Sequence, residues 1–201
     1  MRGAQGLLYK MMYRGYYGFK RTPIWVLIGV NLVVFVVTIF VPNLILLLGL
    51  QPASWLTRPW TVVTSLFVHS GLWHILANMF TLYFFGTYLA RLVGTGRFLI
   101  VYFGGGILGS ILFIVLASPF SIAVGASGAV FALGGTLTVM RPKLRVFIIP
   151  IPVPIPLWVA VIGGFFILAF LPYVAWQAHL GGLVFGLTAG YFFRRRLRYV
   201  F

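Results

Sequence analysis

The stretch Ala178-His-Leu-Gly-Gly-Leu-Val-Phe-Gly-Leu-Thr-Ala-Gly190 sets glycines four residues apart behind a single histidine. Gly182, Gly186 and Gly190 share one face of a helix, because residues four apart lie one above the other. In a membrane, a face of such small residues lets two helices approach closely. The stretch therefore predicts a helix packed tightly on another, with His179 carried to that contact.

A second apolar stretch offers the counterpart of this face. It begins at Ser127 and contains Gly128, Gly134 and Gly135. If these glycines face the helix that carries Gly182, Gly186 and Gly190, the two backbones can meet over several turns. Such packing would bring His179 to Ser127.

The composition indicates a membrane protein. The 201 residues are 62% hydrophobic, whereas a soluble domain needs a polar surface. Six apolar stretches can cross roughly 30 Å of hydrocarbon, allowing for tilt and for ends buried in protein, and they lack the period-two alternation of strands. They lie at about 24–41, 72–90, 97–116, 127–141, 154–171 and 175–193. We therefore expect an all-α integral membrane fold with six transmembrane helices.

The charges predict how this fold is oriented. The chain has 15 Lys and Arg but no Asp or Glu, and every cation except Arg58 falls on one side of the predicted spans. The positive-inside rule makes that side cytoplasmic, with both termini on it. Because apolar stretches separate the cations, membrane lipids rather than nucleic acid are the expected partners. The expected organisation is a basic tail at 1–23, a membrane domain at 24–193 and a basic tail at 194–201.

The missing acids exclude several kinds of site. Without Asp or Glu, the chain cannot form an aspartic protease dyad, a Ser-His-Asp triad or a carboxylate-coupled transporter. Without Cys, it has no thiolate chemistry and no disulfides. The side chains left for catalysis include Ser, Thr, Asn and three histidines, His69, His74 and His179.

Four of the remaining polar residues share a depth in the membrane. Counting 1.5 Å per residue from the basic residue that ends each helix places Ser127 about 21 Å and His179 about 22 Å above the inner interface. The same count places Asn78 about 20 Å and His74 about 26 Å up, with His69 near the outer surface. Ionisable residues inside a membrane usually mark a functional site.

The residue types at this depth suit acyl transfer. Ser127 begins a helix after Gly125, where free backbone N–H groups are available to an oxyanion. His179 is the candidate base for a Ser127 nucleophile. His74 and Asn78 lie on one helix face and can donate hydrogen bonds to the same oxyanion. Each residue also has a structural interpretation, since a lone membrane serine often packs helices and His74 with Asn78 can join them.

In these motifs the chain resembles the rhomboid family of intramembrane serine proteases. The matching patterns are His74-x-x-x-Asn78 with His69 upstream, Gly125-x-Ser127-Gly128, and Ala178-His179-x-x-Gly182-x-x-x-Gly186. The resemblance implies a Ser-His dyad, no cofactor, transmembrane substrates, and a first outer loop embedded sideways in the membrane. The chain departs from the family in having Ala90 where Glu is usual and Trp60-Thr61 where Trp-Arg is frequent.

Three other interpretations remain. A catalytically silent rhomboid-like protein would bind membrane proteins without cutting them, although Ser127 and His179 are retained. A channel or transporter predicts a repeat, and the chain shows none. A three-histidine metal site is disfavoured because the depth count separates His69 from His179 by roughly 11 Å. The expected location is the plasma membrane of a prokaryote.

Overall fold

The computed structural model describes residues 22–147 and 153–198, and these are mainly helical. The helices are α1 Thr22–Phe40, α2 Leu44–Leu48, α3 Thr61–Thr64, α4 Leu72–Thr81, α5 Thr87–Val93, α6 Thr95–Leu116, α7 Ser127–Met140, α8 Gly164–Ala169 and α9 Trp176–Arg198. A π-helical segment, Leu82–Gly86, joins α4 to α5, and another, Val159–Gly163, leads into α8. Most of the predicted tail at 1–23 lies outside the described residues.

The helix ends agree closely with the first four predicted spans. Predicted and observed bounds of α1, α4–α5, α6 and α7 differ by no more than three residues. By length and composition, α1 and α6 are the two helices in the described part of the chain that could each cross a membrane. The last helix, α9, continues to Arg198, beyond the predicted span end at 193.

The fifth predicted span, 154–171, is too long. Ile155–Pro156 forms strand β2, which pairs antiparallel with β1, Arg145–Val146. The helical part begins only after Pro156, because proline lacks the N–H that a helix interior needs. This two-residue ladder is also an exception to the all-α prediction. The run of prolines from Pro150 to Pro156 predicts this late start from the sequence, and Pro150 and Pro152 lie outside the described residues.

Helices α7 and α9 are in backbone contact. A Cβ on Gly182 would strike the Gly128 carbonyl oxygen, and a Cβ on Gly186 would strike the Ala132 carbonyl oxygen. One turn further, a Cβ on Gly190 would lie 2.7 Å from the carbonyl oxygen of Thr136. The glycine face predicted from the sequence is therefore the face on which the two helices meet.

The counterpart on α7 was predicted only in part. Gly128 and Gly135 face α9, with the Cβ position of Gly135 only 3.0 Å from the Leu183 carbonyl oxygen. The prediction for Gly134 is wrong, because Gly134 faces Val161 of the π-helical segment before α8. Gly134 and Gly135 are neighbours in the chain and point about 100° apart around the helix axis, so only one of them can face α9.

Helix α6 completes the central group. A Cβ on Gly105 would strike the Ala132 side chain, and a Cβ on Gly109 would lie 2.6 Å from the Ala178 carbonyl oxygen. Helix α6 therefore contacts α7 and α9 at the level where both begin. The three helices form a close-packed unit around which the other elements are arranged.

The segment between α1 and α4, here called the outer loop (41–71), is held by its own hydrogen bonds. The last carbonyls of a helix have no partner within the helix. In α2 three of them each accept a side-chain hydrogen bond: Arg58 Nη1 donates to Leu46 at 2.7 Å, Trp60 Nε1 to Leu47 at 3.1 Å and Thr64 Oγ1 to Leu48 at 2.8 Å. Arg58 thus anchors this loop together with Trp60 and Thr64.

The outer loop in turn supports the segment that precedes Ser127. Leu50 and Ala123 exchange two backbone hydrogen bonds, of 3.0 and 2.8 Å, and Ala53 N donates to the Pro119 carbonyl at 2.8 Å. These bonds satisfy backbone groups that irregular structure would otherwise leave unpaired. The outer loop therefore holds the segment that precedes Ser127. Ala123 of that segment also packs in a small apolar cluster with Leu50 and Phe113 of α6.

The contact between α7 and α9 predicts how two glycine variants change the stability of the protein. Gly186→Ala should destabilise the protein by about 1–3 kcal/mol, because the new methyl group meets backbone that cannot move aside. Gly29→Ala is the control, since its Cβ would meet nothing within 4 Å. It should be neutral or stabilising by up to about 1 kcal/mol. Thermal unfolding in detergent measures both, and equal midpoints would contradict the role of the contact.

The hydrogen bonds that cap α2 predict how a second pair of variants changes stability. Thr64→Val keeps the side-chain shape but leaves the Leu48 carbonyl unpaired, so we expect a loss of about 1–3 kcal/mol. Thr188→Val is the control, because its hydroxyl bonds the Val184 carbonyl of its own helix at an exposed position. That change should stay within about 0.5 kcal/mol. If Thr64→Val and Thr188→Val have the same thermal unfolding midpoint, the cap contributes nothing to stability.

Candidate active site

Ser127 and His179 are joined by a hydrogen bond. The distance from Ser127 Oγ to His179 Nε2 is 2.8 Å. Ser127 is the first residue of α7, and His179 lies in the first turn of α9. With Nε2 unprotonated, the serine hydroxyl donates to it, which is the arrangement in which an imidazole activates a nucleophile. The glycine contact between the two helices brings this pair together.

An aromatic ring holds the imidazole of His179. The rings of Phe131 and His179 are stacked, with centroids 4.7 Å apart and planes at 29°. Phe165 in turn packs edge-on against Phe131 at 6.2 Å. Within the described residues, His179 Nδ1 has no hydrogen-bond partner. The ring orientation therefore depends on stacking and on the bond to Ser127 rather than on a carboxylate.

Phe131 is a site residue that the sequence did not predict. Phe131 lies four residues after Ser127, so both occupy one face of α7. An aromatic residue one turn below the candidate nucleophile was the available signal. It could not be distinguished by sequence from the other phenylalanines of a chain that has 20.

His74 lies against the backbone beside Ser127. Gly125 has a φ of +118°, and a Cβ built on it would be 2.6 Å from His74 Nε2 and 3.7 Å from Ser127 Oγ. Only glycine fits here, because of both the backbone conformation and the imidazole. Ser70 Oγ and His74 Nδ1 are 3.1 Å apart, which fixes the other side of the ring. His74 therefore presents Nε2 toward the candidate nucleophile.

His69 lies behind His74 and supports the loop. Its side chain is 1% exposed, although the depth count places it near the outer surface. The backbone N–H of Ala126 points to His69 Nε2 at 3.5 Å, and the two imidazoles pack edge-on at 4.9 Å. The N–H of Gly125 donates to the Ser65 carbonyl at 2.9 Å. These contacts give His69 a structural part in the turn that leads to Ser127.

Asn78 is near the group but turned to its own helix. Its side chain is 6% exposed, and Nδ2 donates to the His74 carbonyl at 2.9 Å. An amide has two N–H donors, so one remains for another acceptor. The structure thus brings Ser127, His179 and His74 together, while Asn78 lies one turn along α4 from His74.

A small cavity opens beside Ser127. Its volume is ≈ 20 Å³, enough for a water-sized guest. Gly125, Ser127 and Ala178 line it from the helix starts, and Leu50 and Ser65 line it from the outer loop. The described residues include no group of three or more His, Cys, Asp or Glu placed to hold a metal ion. The structure thus places a serine hydroxyl, an imidazole and room for a small molecule close together.

Comparison with known proteins relates this site to one family. A family model described as the Rhomboid domain matches residues 56–196. Rhomboid protease GluP of Bacillus subtilis is 35% identical over 131 residues, covering 65% of this chain and 25% of GluP. Rhomboid protein 1, mitochondrial, of Saccharomyces cerevisiae is 28% identical over 158 residues, covering 69% of this chain and 43% of that protein.

A third relative is named as inactive. Inactive RHOMBOID-like protein 8 of Arabidopsis thaliana is 30% identical over 126 residues, covering 62% of this chain and 35% of that protein. The chain therefore spans less than half the length of each of these three relatives. The family model covers more than half of the chain and includes Ser127, His179, His74 and Asn78. The chain belongs to the rhomboid family and, with it, to the integral membrane proteins.

Proposed function

We propose that this chain is an intramembrane serine protease that uses Ser127 as nucleophile and His179 as base. The observation that carries the proposal is the 2.8 Å hydrogen bond between Ser127 Oγ and His179 Nε2. Relatives named as rhomboid proteases support the same reaction class. A partly buried Ser-His pair beside a small cavity has the parts that acyl transfer needs.

In the proposed reaction, Ser127 Oγ attacks a peptide carbonyl carbon while His179 Nε2 takes the hydroxyl proton. The carbonyl oxygen becomes an oxyanion, which accepts hydrogen bonds from the Ser127 N–H, His74 and Asn78. As the C–N bond breaks, His179 returns the proton to the leaving amine. A water molecule, deprotonated by His179, then cleaves the acyl-enzyme ester and restores Ser127.

The imidazole lacks a carboxylate partner, so its orientation must come from elsewhere. An Asp in a serine protease triad fixes the tautomer and stabilises the imidazolium. Stacking on Phe131 supplies the fixed orientation here, and α7 supplies backbone N–H groups near the developing charge. We expect this dyad to be a slower catalyst than a triad.

The proposed setting is a six-span membrane domain with both termini in the cytoplasm of a prokaryotic cell. In this orientation Ser127 lies toward the outer side, and water reaches it from there. Its substrates are transmembrane segments of other proteins, cut near the outer end of the helix. A helix must open before its carbonyl can be attacked, so small or helix-breaking residues at the cut site should favour cleavage.

The similarity to a protein named as inactive supports a second candidate function, a silent membrane-protein binding factor. The two functions differ in one measurable property, the nucleophilicity of Ser127. A fluorophosphonate reacts with an activated serine and should label the detergent-purified protein at Ser127. A protein that binds without cutting should not be labelled.

The dyad predicts the outcome of two alanine variants. Ser127→Ala and His179→Ala should each abolish cleavage of a transmembrane substrate and fluorophosphonate labelling, because each removes one partner of the proton transfer. Ser121→Ala, at an exposed position of the same loop, is the control and should behave like the parent. Strong labelling of His179→Ala would show that another group activates the serine.

The stacked ring predicts a positioning effect. Phe131→Leu should lower kcat by roughly tenfold to a hundredfold with little change in KM, because the base is misaligned while substrate contacts remain. Phe80→Leu is the control, since Phe80 is 62% exposed. Thermal unfolding in parallel separates lost activity from lost structure. An unchanged kcat would show that the bond to Ser127 suffices to hold His179.

The proposed oxyanion donors predict a third result. His74→Ala and Asn78→Ala should each lower turnover at saturating substrate by roughly tenfold to a hundredfold, with the double variant slower still. The effect belongs in kcat, because the donors act most strongly when charge develops. Full turnover in both single variants, or loss only through unfolding, would make the pair structural.

A further inference from the structure

The described cations are concentrated at one end of the helix group. Arg97 lies in the first turn of α6, while Arg141 and Arg194 lie at or near the ends of α7 and α9. Lys143 and Arg145 follow in the segment that leads to β1. We call this set the basic end. Arg58 lies at the opposite end, where its guanidinium caps α2.

Contacts between helices make the basic end one surface. The Arg97 guanidinium lies over the Phe193 ring of α9 at 5.9 Å. Arg194 Nη1 donates to the Val139 carbonyl of α7 at 3.3 Å. The end of α9 is thereby tied to the start of α6 and to the last turn of α7. The cations of three helices therefore face one region rather than three separate ones.

No side chain of this protein can neutralise that region. The chain has no Asp and no Glu, so its 15 Lys and Arg have no carboxylate side chain of the same molecule to pair with. Arg141, Lys143 and Arg145 are also exposed. Like charges held close together repel, which favours a bound anion at this surface.

The surroundings of the cations are apolar. Phe147 is 71% exposed two residues after Arg145, and Phe192 is 58% exposed beside Phe193. Tyr191, 51% exposed, lies under Arg195 at 5.3 Å. Aromatic rings next to cations are typical of protein surfaces at the membrane–water interface. A free anion would contact only the cations, whereas a phospholipid would contact the cations through its headgroup and the exposed aromatic rings through its acyl chains.

We propose that the basic end binds the headgroups of anionic phospholipids, which supply the counter-charges that the chain itself lacks. The lipid phosphate contacts the exposed Arg141, Lys143 and Arg145, and its acyl chains lie along the exposed rings. This binding is independent of the proposed peptidase activity. It needs only that the protein sits in a membrane, as its family does.

Native mass spectrometry of the full chain tests the proposal. The protein is extracted from vesicles of equal phosphatidylglycerol and phosphatidylcholine, and the lipids retained are counted. We expect phosphatidylglycerol to exceed phosphatidylcholine by about fivefold or more. The triple variant Arg141→Gln, Lys143→Gln, Arg145→Gln should lose most of this preference. The variant Arg141→Lys, Arg145→Lys keeps the charge and should retain it, as should Arg58→Gln at the other end.

Several outcomes would overturn the proposal. These are equal retention of the two lipids by the parent, an undiminished preference in the triple variant, or a loss in Arg58→Gln as large as in the triple. Displacement of the lipid by inorganic phosphate at equal concentration would identify a free-anion site instead. Thermal unfolding reports whether the triple variant folds. If it does not, Lys143→Gln alone carries the test and should show a smaller loss.

Discussion

The backbone contact between α7 and α9 is the interaction on which the rest of the structure depends. Gly182 and Gly186 bring α9 against carbonyl groups of α7, at distances that no side chain allows. In a membrane, burial of apolar surface does not drive helices together, so this kind of close packing must. Because both helices begin at the same level, the contact also sets Ser127 opposite His179. The fold and the candidate site thus have one cause.

The absence of carboxylates has consequences at both ends of the molecule. At the Ser127 end, the imidazole of His179 is oriented by an aromatic ring and by the serine, not by an acid. At the basic end, the cations have no carboxylate side chain in the chain to pair with, so their charge is available to anions from the surroundings. In water such a charge imbalance would favour an expanded chain through self-repulsion. A membrane restrains it, because the apolar helices cannot leave the hydrocarbon.

The outer loop holds the segment before Ser127 in a fixed conformation. Its bonds to the segment before Ser127 fix the positive φ of Gly125, and His69 supports the same turn from behind. Irregular backbone inside a membrane protein is tolerated only where protein or a water-filled cavity pairs its polar groups. The caps provided by Arg58, Trp60 and Thr64 extend that pairing to α2. A preorganised turn of this kind is what an oxyanion site requires.

The sequence by itself determined the helices, the glycine face of α9 and the polar residues that gather at its start, since periodicity and spacing within a helix are local properties. Only the tertiary structure decided that Gly134 faces Val161 and that Ile155–Pro156 pairs with Arg145–Val146 as a strand. The tertiary structure also decided that Phe131 is the phenylalanine that stacks on His179. It likewise decided that the Asn78 side chain bonds the His74 carbonyl of its own helix. These outcomes depend on the rotation of one helix against another, which is fixed by contacts between residues far apart in the chain.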